Sequence, residues 1–339
     1  MELSAAGVRI THEGYFLRVP ERGIHALTSR VTEEENLFLL AHMGLAEVDP
    51  TSWRLCIEGL VREPVSLGLT DLLALPQHEV MSVHECAGSP LTPTVPKRRV
   101  GNVVWSGVRL RDVLELCRVA PGAAFVWTHG LEWGTFADLQ GEPYVKDLPL
   151  WKALSPEVLL ATTLNGKSLI PERGGPVRLI VPGWYGTNSV KWLGGLTMAD
   201  RRAPGPYTTR FYNDPSPNGS QPVWGIAPES ILVSPAPEKL LVAGQPVLLQ
   251  GWAWAESGVS CVEVSPDGGA TWTTATLEPH CGFAWQQFRL PWAFPAGQHQ
   301  VTCRCFDVWG VGQPESGARN ARHSLLLEVR PTPDIRVRS

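Results

Sequence analysis

The sequence predicts an α+β domain followed by an all-β sandwich, and three observations support this. Helix-like and strand-like stretches are mixed over the first two-thirds of the 339 residues. From about residue 228, short strand-like runs and turn residues follow at the spacing typical of a sandwich. The 33 Gly and 30 Pro indicate many turns and short elements. We therefore expect domains over residues 1–227 and 228–339, with the Pro-rich stretch 227–240 marking the boundary.

Four stretches of the first domain show the pattern of a helix or a strand. Residues 52–61, SWRLCIEGLV, alternate like a strand, and residues 69–76, LTDLLALP, predict a short helix capped by Thr70. Apolar residues at helical spacing predict a helix within residues 105–119. Residues 177–183, VRLIVPG, form a short apolar run that is typical of a buried strand.

The second domain carries the turn signals of a β-sandwich. Asp267, Gly268 and Gly269 separate two strand-like runs, and further runs continue towards the C-terminus as FAWQQFRLPW, HQVTCRCFDVWG and HSLLLEVRP. This part of the sequence has no cluster of reactive residues. A scaffold or a role in oligomerisation is therefore the expected function of the second domain.

Composition excludes several classes of function. The net charge of −4 argues against nucleic acid as a partner, and no apolar run reaches the ~18 residues that span a membrane. The N-terminal segment lacks the apolar region of a secretory signal, so we expect a cytoplasmic protein as the sequence stands, or a periplasmic one if an export signal was removed. The seven cysteines contain no C-x-x-C pair, so neither a zinc ribbon nor a c-type haem site is predicted.

Two segments indicate a site for an anionic ligand. Residues 172–195 place Arg173, Arg178 and Lys191 around a glycine-rich turn, and such cations with backbone amides can bind phosphate, although the glycines alone also suit a tight corner. Further along, Arg210 and Tyr212 are two residues apart, so they share one side if the segment is extended. These patterns alone predict an anionic ligand and nothing more specific.

Taken together, four segments resemble the molybdenum-cofactor enzymes of the sulfite oxidase family. They are ECAG, WSGVRLRDVL, GGPVRLIVPGWYGTNSVKWL and VEVSPDGGATW, in the family's order over roughly residues 30 to 330. The resemblance implies an α+β cofactor domain and an immunoglobulin-like domain that commonly pairs subunits, hence a homodimer. The haem domain that some members carry is missing, so electrons would pass to a separate acceptor, a cytochrome or another carrier.

The resemblance also implies roles for single residues. Cys86 stands at the position of the thiolate that ligates molybdenum beside the pyranopterin, where a soft charged sulfur donates strongly and small neighbours leave room. Tyr212 matches the active-site tyrosine, and Glu132 lies near another pterin contact. The positions that match pterin-binding residues are His42, Arg178, Ser189 and Lys191, with Arg173 where many members have histidine.

The sequence departs from the family at its sulfite-binding arginines. Leu40 replaces the N-terminal arginine, with Ala41 where asparagine is usual, and Ser257 stands at the position of a third arginine. After the cysteine, the family's GNRR becomes Gly88-Ser89-Pro90-Leu91. A buried dianion without guanidinium partners is costly, so ordinary sulfite oxidation is not expected.

Three functions remain open on the sequence. The first is oxygen-atom or two-electron transfer on a small, less charged sulfur or oxo compound. The second is true sulfite oxidation with an anion clamp rebuilt from other cations, such as Arg210 or the loop with Lys97, Arg98 and Arg99. The third is a non-catalytic protein that binds the cofactor or a partner. Retention of Cys86, Arg178, Lys191 and Tyr212 favours the enzymatic functions.

Overall fold

The structure is a computed structural model that describes residues 7–89, 98–217 and 219–332. Its described residues form two compact units. Unit 1 contains residues 7–18, 33–87 and 103–225, and unit 2 contains residues from 19–32, 88–102 and 226–332. The sequence predicts a single division at residue 227, whereas two earlier segments of the chain also belong to unit 2.

Most of unit 1 consists of short strands. In chain order they are β1 Val8–Glu13, β2 Phe16–Arg18, β3 Leu39–Ala41, β4 Gly44–Val48, β5 Arg54–Gly59, β6 Val65–Gly68, β7 Gln77–Glu85, β8 Val100–Arg109 (whose first three residues fall in unit 2), β9 Phe125–Gly130, β10 Thr135–Phe136, β11 Leu139–Gln140, β12 Val145–Pro149, β13 Leu159–Leu164, β14 Lys167–Ser168, β15 Arg178–Ile180, β16 Leu193–Ala199, β17 Asn213–Ser216 and β18 Gly219–Pro222.

These strands form two five-membered sheets and several small ribbons. The first sheet has the order β12-β9-β16-β5-β6, and its β16–β5 pair is parallel, with Gly195 opposite Cys56. The second has the order β14-β13-β8-β7, with β15 also paired to β13. Pairs β1-β4, β2-β3, β10-β11 and β17-β18 form the ribbons. The predicted strands at residues 52–61 and 177–183 are confirmed as β5 and β15.

Four short helices connect the strands: α1 Leu69–Leu73, α2 Leu110–Cys117, α3 Leu150–Ala153 and α4 Pro206–Thr209. Helix α1 confirms the helix predicted at residues 69–76, but its cap was wrong. The N-cap is Gly68, whose backbone N–H donates to the Asp71 carboxylate at 2.8 Å, so Thr70 lies inside the helix. A carboxylate in the first turn satisfies an amide that would otherwise lack a partner.

The helix predicted within residues 105–119 is only half correct. Residues up to Arg109 belong to strand β8, and the helix begins at Leu110. Strand β8 pairs with β13, which places Val108 opposite Leu160 in the core. Tertiary pairing therefore overrides the helical spacing of the apolar residues here.

The core of unit 1 includes residues from both sheets and several aromatic side chains. Trp53, Trp105 and Trp192 are almost completely buried. The indole N–H of Trp53 donates to the carbonyl of Leu193 at 2.8 Å, so this buried ring has its polar atom satisfied. No helix in the described ranges is long and apolar enough to cross a membrane.

Unit 2 is a sandwich of two sheets, as the sequence predicts. Its strands are β19 Glu229–Ser234, β20 Leu241–Val242, β21 Pro246–Trp254, β22 Val259–Ser265, β23 Thr273–Thr274, β24 Thr276–Leu277, β25 Gln286–Ala293, β26 Gly297–Asp307 and β27 His323–Arg330. The sheet orders are β19-β21-β25-β24 and β20-β27-β26-β22-β23. The predicted turn at Asp267 joins β22 to β23, and the following Gly268 and Gly269 both adopt positive φ.

Several tryptophans of unit 2 serve its own core. Trp252 stacks on Trp285 with a centroid distance of 4.5 Å, and Trp254 packs beside them at 6.3 Å from Trp285. All three are buried, so they contribute to the unit's own stability.

Candidate active site

A cavity in unit 1 brings most of the predicted site residues together. One wall is the apolar segment 37–41, which we call the rim, and charged residues lie among the others. Seven of the eight predicted residues line this cavity: His42, Cys86, Arg173, Arg178, Ser189, Lys191 and Tyr212. The eighth, Arg210, does not line it.

Ends of strands and short turns position these side chains. Cys86 follows directly after β7, His42 follows β3, and Tyr212 precedes β17. Arg178 is the first residue of β15. Functional residues at the ends of strands are held by the sheet while their side chains remain available to a ligand.

A glycine allows the close approach of two turns at the cavity. Gly174 has φ +94°, and a Cβ built on it would lie only 2.7 Å from Cβ of Lys191. A larger residue at position 174 would therefore displace Lys191 from the cavity wall. This is the physical reason for a glycine in the motif that the sequence singled out.

Buried cations dominate the electrostatics of the cavity. Arg178 donates to the carbonyls of Arg173 and Ser189 at 2.9 and 3.2 Å, and its guanidinium lies 4.9 Å from the centre of the Trp105 ring. Burial, followed by the neighbouring Arg173, lowers the pKa of Arg178 to about 9. Its Nε is buried without a hydrogen-bond partner among the described residues, so the site has an unused donor.

Arg173 supports the wall of the cavity through the backbone. Its guanidinium donates to the carbonyls of Phe38, Glu34 and Leu37 at 2.7, 2.8 and 3.0 Å. Burial lowers its pKa to about 10, although the nearby Glu34 opposes the shift. Arg173 thus fixes the rim, and most of its donors are already used there.

Lys191 and Glu132 interact electrostatically and carry opposite charges when both are ionised. The Lys191 ammonium donates to the carbonyl of Leu40 at 2.9 Å. Burial lowers the pKa of Lys191 to about 7, against the attraction of Glu132. Burial likewise raises the pKa of the Glu132 carboxyl to about 7, and its Oε2 has no hydrogen-bond partner among the described residues. Because the charge of each group affects the pKa of the other, the titrations of Lys191 and Glu132 are coupled.

His42 and Tyr212 are hydrogen-bonded to each other through Nε2 and the phenolic hydroxyl. Burial, followed by the charges of Lys191 and Lys146, lowers the pKa of His42 to about 3, so the imidazole is neutral and its unprotonated ring nitrogen can accept a hydrogen bond. Burial, and then the nearby Cys86, raise the pKa of Tyr212, so its hydroxyl stays protonated. Tyr212 has φ +58°, a conformation that side chains rarely adopt and that often occurs at functional sites.

Sequence reasoning missed His84 and Tyr144, which also line the cavity. His84 is stacked on Phe38 at 5.5 Å, and burial, followed by Arg178, lowers its pKa well below the usual value. Tyr144 donates to the carbonyl of Thr187 at 2.8 Å. The position of His84, two residues before Cys86 on an alternating strand, was the available signal, since it puts both side chains on one side.

The sequence places Arg210 and Tyr212 on one side only if their segment is extended, and this condition is not met. The segment is not extended, because Arg210 is the C-cap of α4 and Tyr212 adopts the left-handed conformation. The Arg210 guanidinium is exposed and pairs with Asp138 at 2.7 Å.

The other cations considered for a rebuilt clamp have different surroundings. Arg98 lies in unit 2, with its Nε 3.6 Å from the Glu229 carboxylate, and both side chains are buried.

Ser257, at the expected position of a third arginine, is also in unit 2, where its hydroxyl donates to Asp307 at 3.2 Å. Ser89 is buried as well. Pro90, Leu91 and Lys97 lie outside the described residues.

The cavity suits an anionic organic cofactor. Arg173 and Arg178 are buried and Lys191 is half-buried, and the carboxyl groups in the same lining are Glu132, whose pKa is raised, and Glu172. The unused Nε donor of Arg178 is a second indication, because a buried donor without a partner is costly. An anion in the cavity would satisfy both the charge and the donor. A soft sulfur ligand, Cys86, is part of the same lining.

Comparison with known proteins defines the class of protein. Residues 42–207 match the profile of the oxidoreductase molybdopterin-binding domain, and residues 220–326 match the Mo-co oxidoreductase dimerisation domain. The chain is similar to mitochondrial sulfite oxidase of Mus musculus, with 30% identity over 89% of this chain and 62% of the relative. Sulfite oxidase of Gallus gallus is 30% identical over 85% of this chain and 69% of the relative.

A solved structure agrees with these sequence matches. The sulfane dehydrogenase SoxCD from Paracoccus pantotrophus superimposes with a TM-score of 0.80 at 27% identity, over 90% of this chain and 83% of that chain. The chain therefore belongs to the sulfite oxidase family of molybdopterin-binding oxidoreductases. Its cofactor is molybdenum-molybdopterin, and the predicted fold class and family are confirmed. The chain spans about 62% of the length of the mouse relative.

Proposed function

We propose that the protein is a molybdenum-cofactor oxidoreductase that acts on a sulfur compound carrying less charge than sulfite, with thiol-bound sulfane sulfur as the preferred class. The observation that carries this proposal is the composition of the rim. Leu40 lines the cavity where an arginine would bind sulfite, and its neighbours in segment 37–41 are also apolar. An apolar wall favours a substrate with an organic or neutral part over a small dianion.

Further support comes from the cations and from a relative. Arg210, the nearest candidate in sequence for a rebuilt clamp, is paired with Asp138 outside the cavity lining. Most donors of Arg173 are bound to backbone carbonyls. The solved relative is named a sulfane dehydrogenase, which favours sulfane sulfur over a sulfoxide. Sulfite oxidation with a rebuilt clamp thus becomes an outcome of the test.

In this proposal Cys86 ligates the metal, and five residues hold the pterin. When bound, the cofactor supplies a metal that can take up two electrons beside the thiolate ligand. Arg178 and Lys191 bind its anionic part by charge-assisted hydrogen bonds. Ser189 and His42 are the remaining contacts, and the buried carboxyl of Glu132 accepts from an N–H group of the pterin.

Tyr212 orients the substrate in the same proposal. Its hydroxyl is kept protonated by burial and is hydrogen-bonded to the neutral His42 in the free chain. A substrate that displaces this bond would receive the same hydrogen bond from the Tyr212 hydroxyl. The apolar rim forms part of the cavity wall and disfavours water there.

The substrate class predicts a kinetic difference. We expect the cofactor-loaded protein to oxidise sulfite with a high KM and a low kcat/KM, because loss of two charge-assisted contacts of roughly 1.5–3 kcal/mol each weakens binding by a factor on the order of 10² to 10⁴. Steady-state kinetics with an artificial acceptor should compare sulfite, a persulfide of a small thiol, and a neutral sulfoxide. The persulfide should give the highest kcat/KM.

The controls separate this test from loss of cofactor. Molybdenum content is measured on the same preparation, and about one atom per chain is required before rates are compared. Saturation by micromolar sulfite at high turnover would contradict the proposed substrate class and support the rebuilt clamp. Full occupancy with no turnover on any of the three compounds would instead support a non-catalytic protein.

We also propose that the protein is a homodimer that passes electrons to a separate carrier. Unit 2 corresponds to the region matched by the dimerisation-domain profile. Two leucines are exposed on its sheets, Leu326 on β27 at 73% and Leu248 on β21 at 42%. Exposed apolar residues on a sheet are typical of an interface. Trp252, Trp254 and Trp285, by contrast, are buried in the core of the unit.

The dimer is tested by light scattering on the full chain. We expect a mass of twice 37.1 kDa at micromolar concentration. Leu326→Lys and Leu248→Lys lie on different sheets, so we expect only one of them to shift the mass towards the monomer, and the other serves as its matched control. A monomer in the parent protein would contradict the proposal.

A further inference from the structure

Lys146 is a fully buried lysine beside the proposed active site, and no sequence motif pointed to it. It lies on β12, and its side chain is 0% exposed. Its ammonium donates to the carbonyl of Tyr207 at 3.0 Å and lies 5.4 Å from the centre of the Tyr212 ring. Within the described part of the chain it forms no ion pair. A buried ammonium with only neutral partners is costly to keep.

The neighbouring Asp147 attracts Lys146 through space but forms no ion pair with it among the described residues. Alternation along β12 points the two side chains to opposite faces of the strand. The Asp147 carboxylate accepts from Nε and Nη2 of Arg202 and from the backbone N–H of Ala203, each at 3.0 Å. Asp147 is thus engaged by Arg202, and Lys146 faces the aromatic residues of the site.

Lys146 contacts both ends of one short segment. Tyr207 lies in α4, and Tyr212 follows five residues later in its left-handed conformation. The carbonyl contact fixes the start of the segment, and the cation–π contact holds the Tyr212 ring at its end. One side chain therefore bridges the turn that presents Tyr212 to the cavity.

The same charge acts on the partner of Tyr212. The titratable groups that face His42 are Tyr144, Tyr207 and Tyr212 by ring contact and the cations Lys191 and Lys146 by charge. The three tyrosines stay neutral at ordinary pH, since burial raises the pKa of each. Two cations therefore add to burial in keeping the imidazole neutral.

We propose that Lys146 is a positioning residue of the active site: its ammonium holds the segment 207–212 so that the Tyr212 hydroxyl stays hydrogen-bonded to a neutral His42. The inference rests on the proposed role of Tyr212 in binding substrate. It adds a supporting role for Lys146, which does not line the cavity itself. Burial lowers the pKa of Lys146 to about 8, so the ammonium is charged at neutral pH.

The test replaces Lys146 in two ways. Lys146→Met removes the charge and the hydrogen bond, whereas Lys146→Gln removes the charge but keeps a donor for Tyr207. Lys152→Met is the matched control, because Lys152 is another buried lysine of unit 1 that lies over a tryptophan ring, 5.6 Å from the centre of Trp184, and does not line the cavity.

The first measurement is an NMR titration of His42 in the cofactor-free chain. We expect the pKa of His42 to rise above its parent value of about 3 in Lys146→Met and Lys146→Gln, because a neighbouring cation is removed, and to stay unchanged in Lys152→Met. An unchanged pKa in both Lys146 variants would overturn the proposal. This readout is independent of whether the proposed substrate is correct.

The second measurement is the pH profile of kcat/KM in the loaded enzyme. Lys146→Met should lose between about 10- and 100-fold, the loss that displacing a catalytic group by about 1 Å can cause, and Lys146→Gln should lose less. A loss of stability or molybdenum alone, with normal kcat/KM per bound molybdenum, would show a merely structural role.

The unmodified protein decides the matter if neither variant folds. With Lys146 placed as described, its ammonium should titrate near pH 8 and His42 near pH 3 in the parent chain. Selective nitrogen-15 labelling of lysine makes the first titration visible. A Lys146 that titrates like an exposed amine would overturn the proposal.

Discussion

Cys86→Ser is expected to abolish turnover while the protein stays folded and keeps most of its pterin. A serine oxygen is a harder and weaker donor than a thiolate, so the electronic properties of the bound metal change. Changes to groups that only orient a metal ligand already cost about 10- to 100-fold in activity, so replacement of the ligand itself should cost more than about 100-fold. Steady-state kinetics per bound molybdenum measures the effect.

Cys56→Ser is the matched control for this variant. Cys56 is a partly buried thiol of unit 1 on β5, and it does not line the cavity. Its substitution should leave kcat unchanged. Circular dichroism and thermal unfolding of both variants test for a folding defect. A Cys86→Ser variant that keeps most of its activity would contradict the assignment of Cys86 as the metal ligand.

The sequence predicts the membership of the site better than its geometry. Motif positions alone identify His42, Cys86, Arg178 and Lys191, because the chemistry of an anionic, metal-bearing ligand restricts residue type at each of them. The expected placement of Arg210 beside Tyr212 shows the limit of spacing alone. Spacing of two residues implies a shared side only in an extended segment, and here a helical turn intervenes.

Residues recruited from distant strands were harder to predict. His84 has a local signal in its spacing from Cys86, but Lys146 has none. Its neighbour Asp147 is no guide either, because that aspartate is paired with Arg202. Long-range pairing also explains residues 105–109, which a helical pattern describes well and which β13 holds as a strand. Local patterns carry no information about such partners.

The rim shows how substrate preference can depend on a backbone contact. Leu40 lines the cavity with its side chain, while its carbonyl accepts from Lys191. The position where the family resemblance implies an arginine thus supplies no charge, while its carbonyl contacts Lys191, which we propose binds the pterin. In this proposal, specificity and cofactor binding are coupled through a single residue of β3.

Lys191→Met is expected to release cofactor before it slows chemistry. A charge-assisted hydrogen bond to an anion is worth roughly 1.5–3 kcal/mol, so its loss should lower cofactor affinity by tenfold or more. Lys191 is a sharper test than Arg178, which also holds the carbonyls of Arg173 and Ser189. Molybdenum and pterin content are measured after dialysis, with Lys152→Met as the control. Parent-level content in Lys191→Met would contradict the proposed pterin site.

The same pair predicts how cofactor binding depends on pH. In the cofactor-free chain burial lowers the pKa of Lys191 and raises that of Glu132 until both lie near 7, so both groups lose protons as the pH rises through 7. Loss of a proton from either group makes the cavity more negative, and an anion binds less well. We therefore expect cofactor dissociation to be slower at pH 6 than at pH 8 in the parent protein. Glu132→Gln removes the carboxylate that would form, so its dissociation rate at pH 8 should be lower than the parent's at that pH, although Lys191 still loses its charge there. A dissociation rate that is equal at both pH values in the parent would show that this pair does not contact the anionic part of the cofactor.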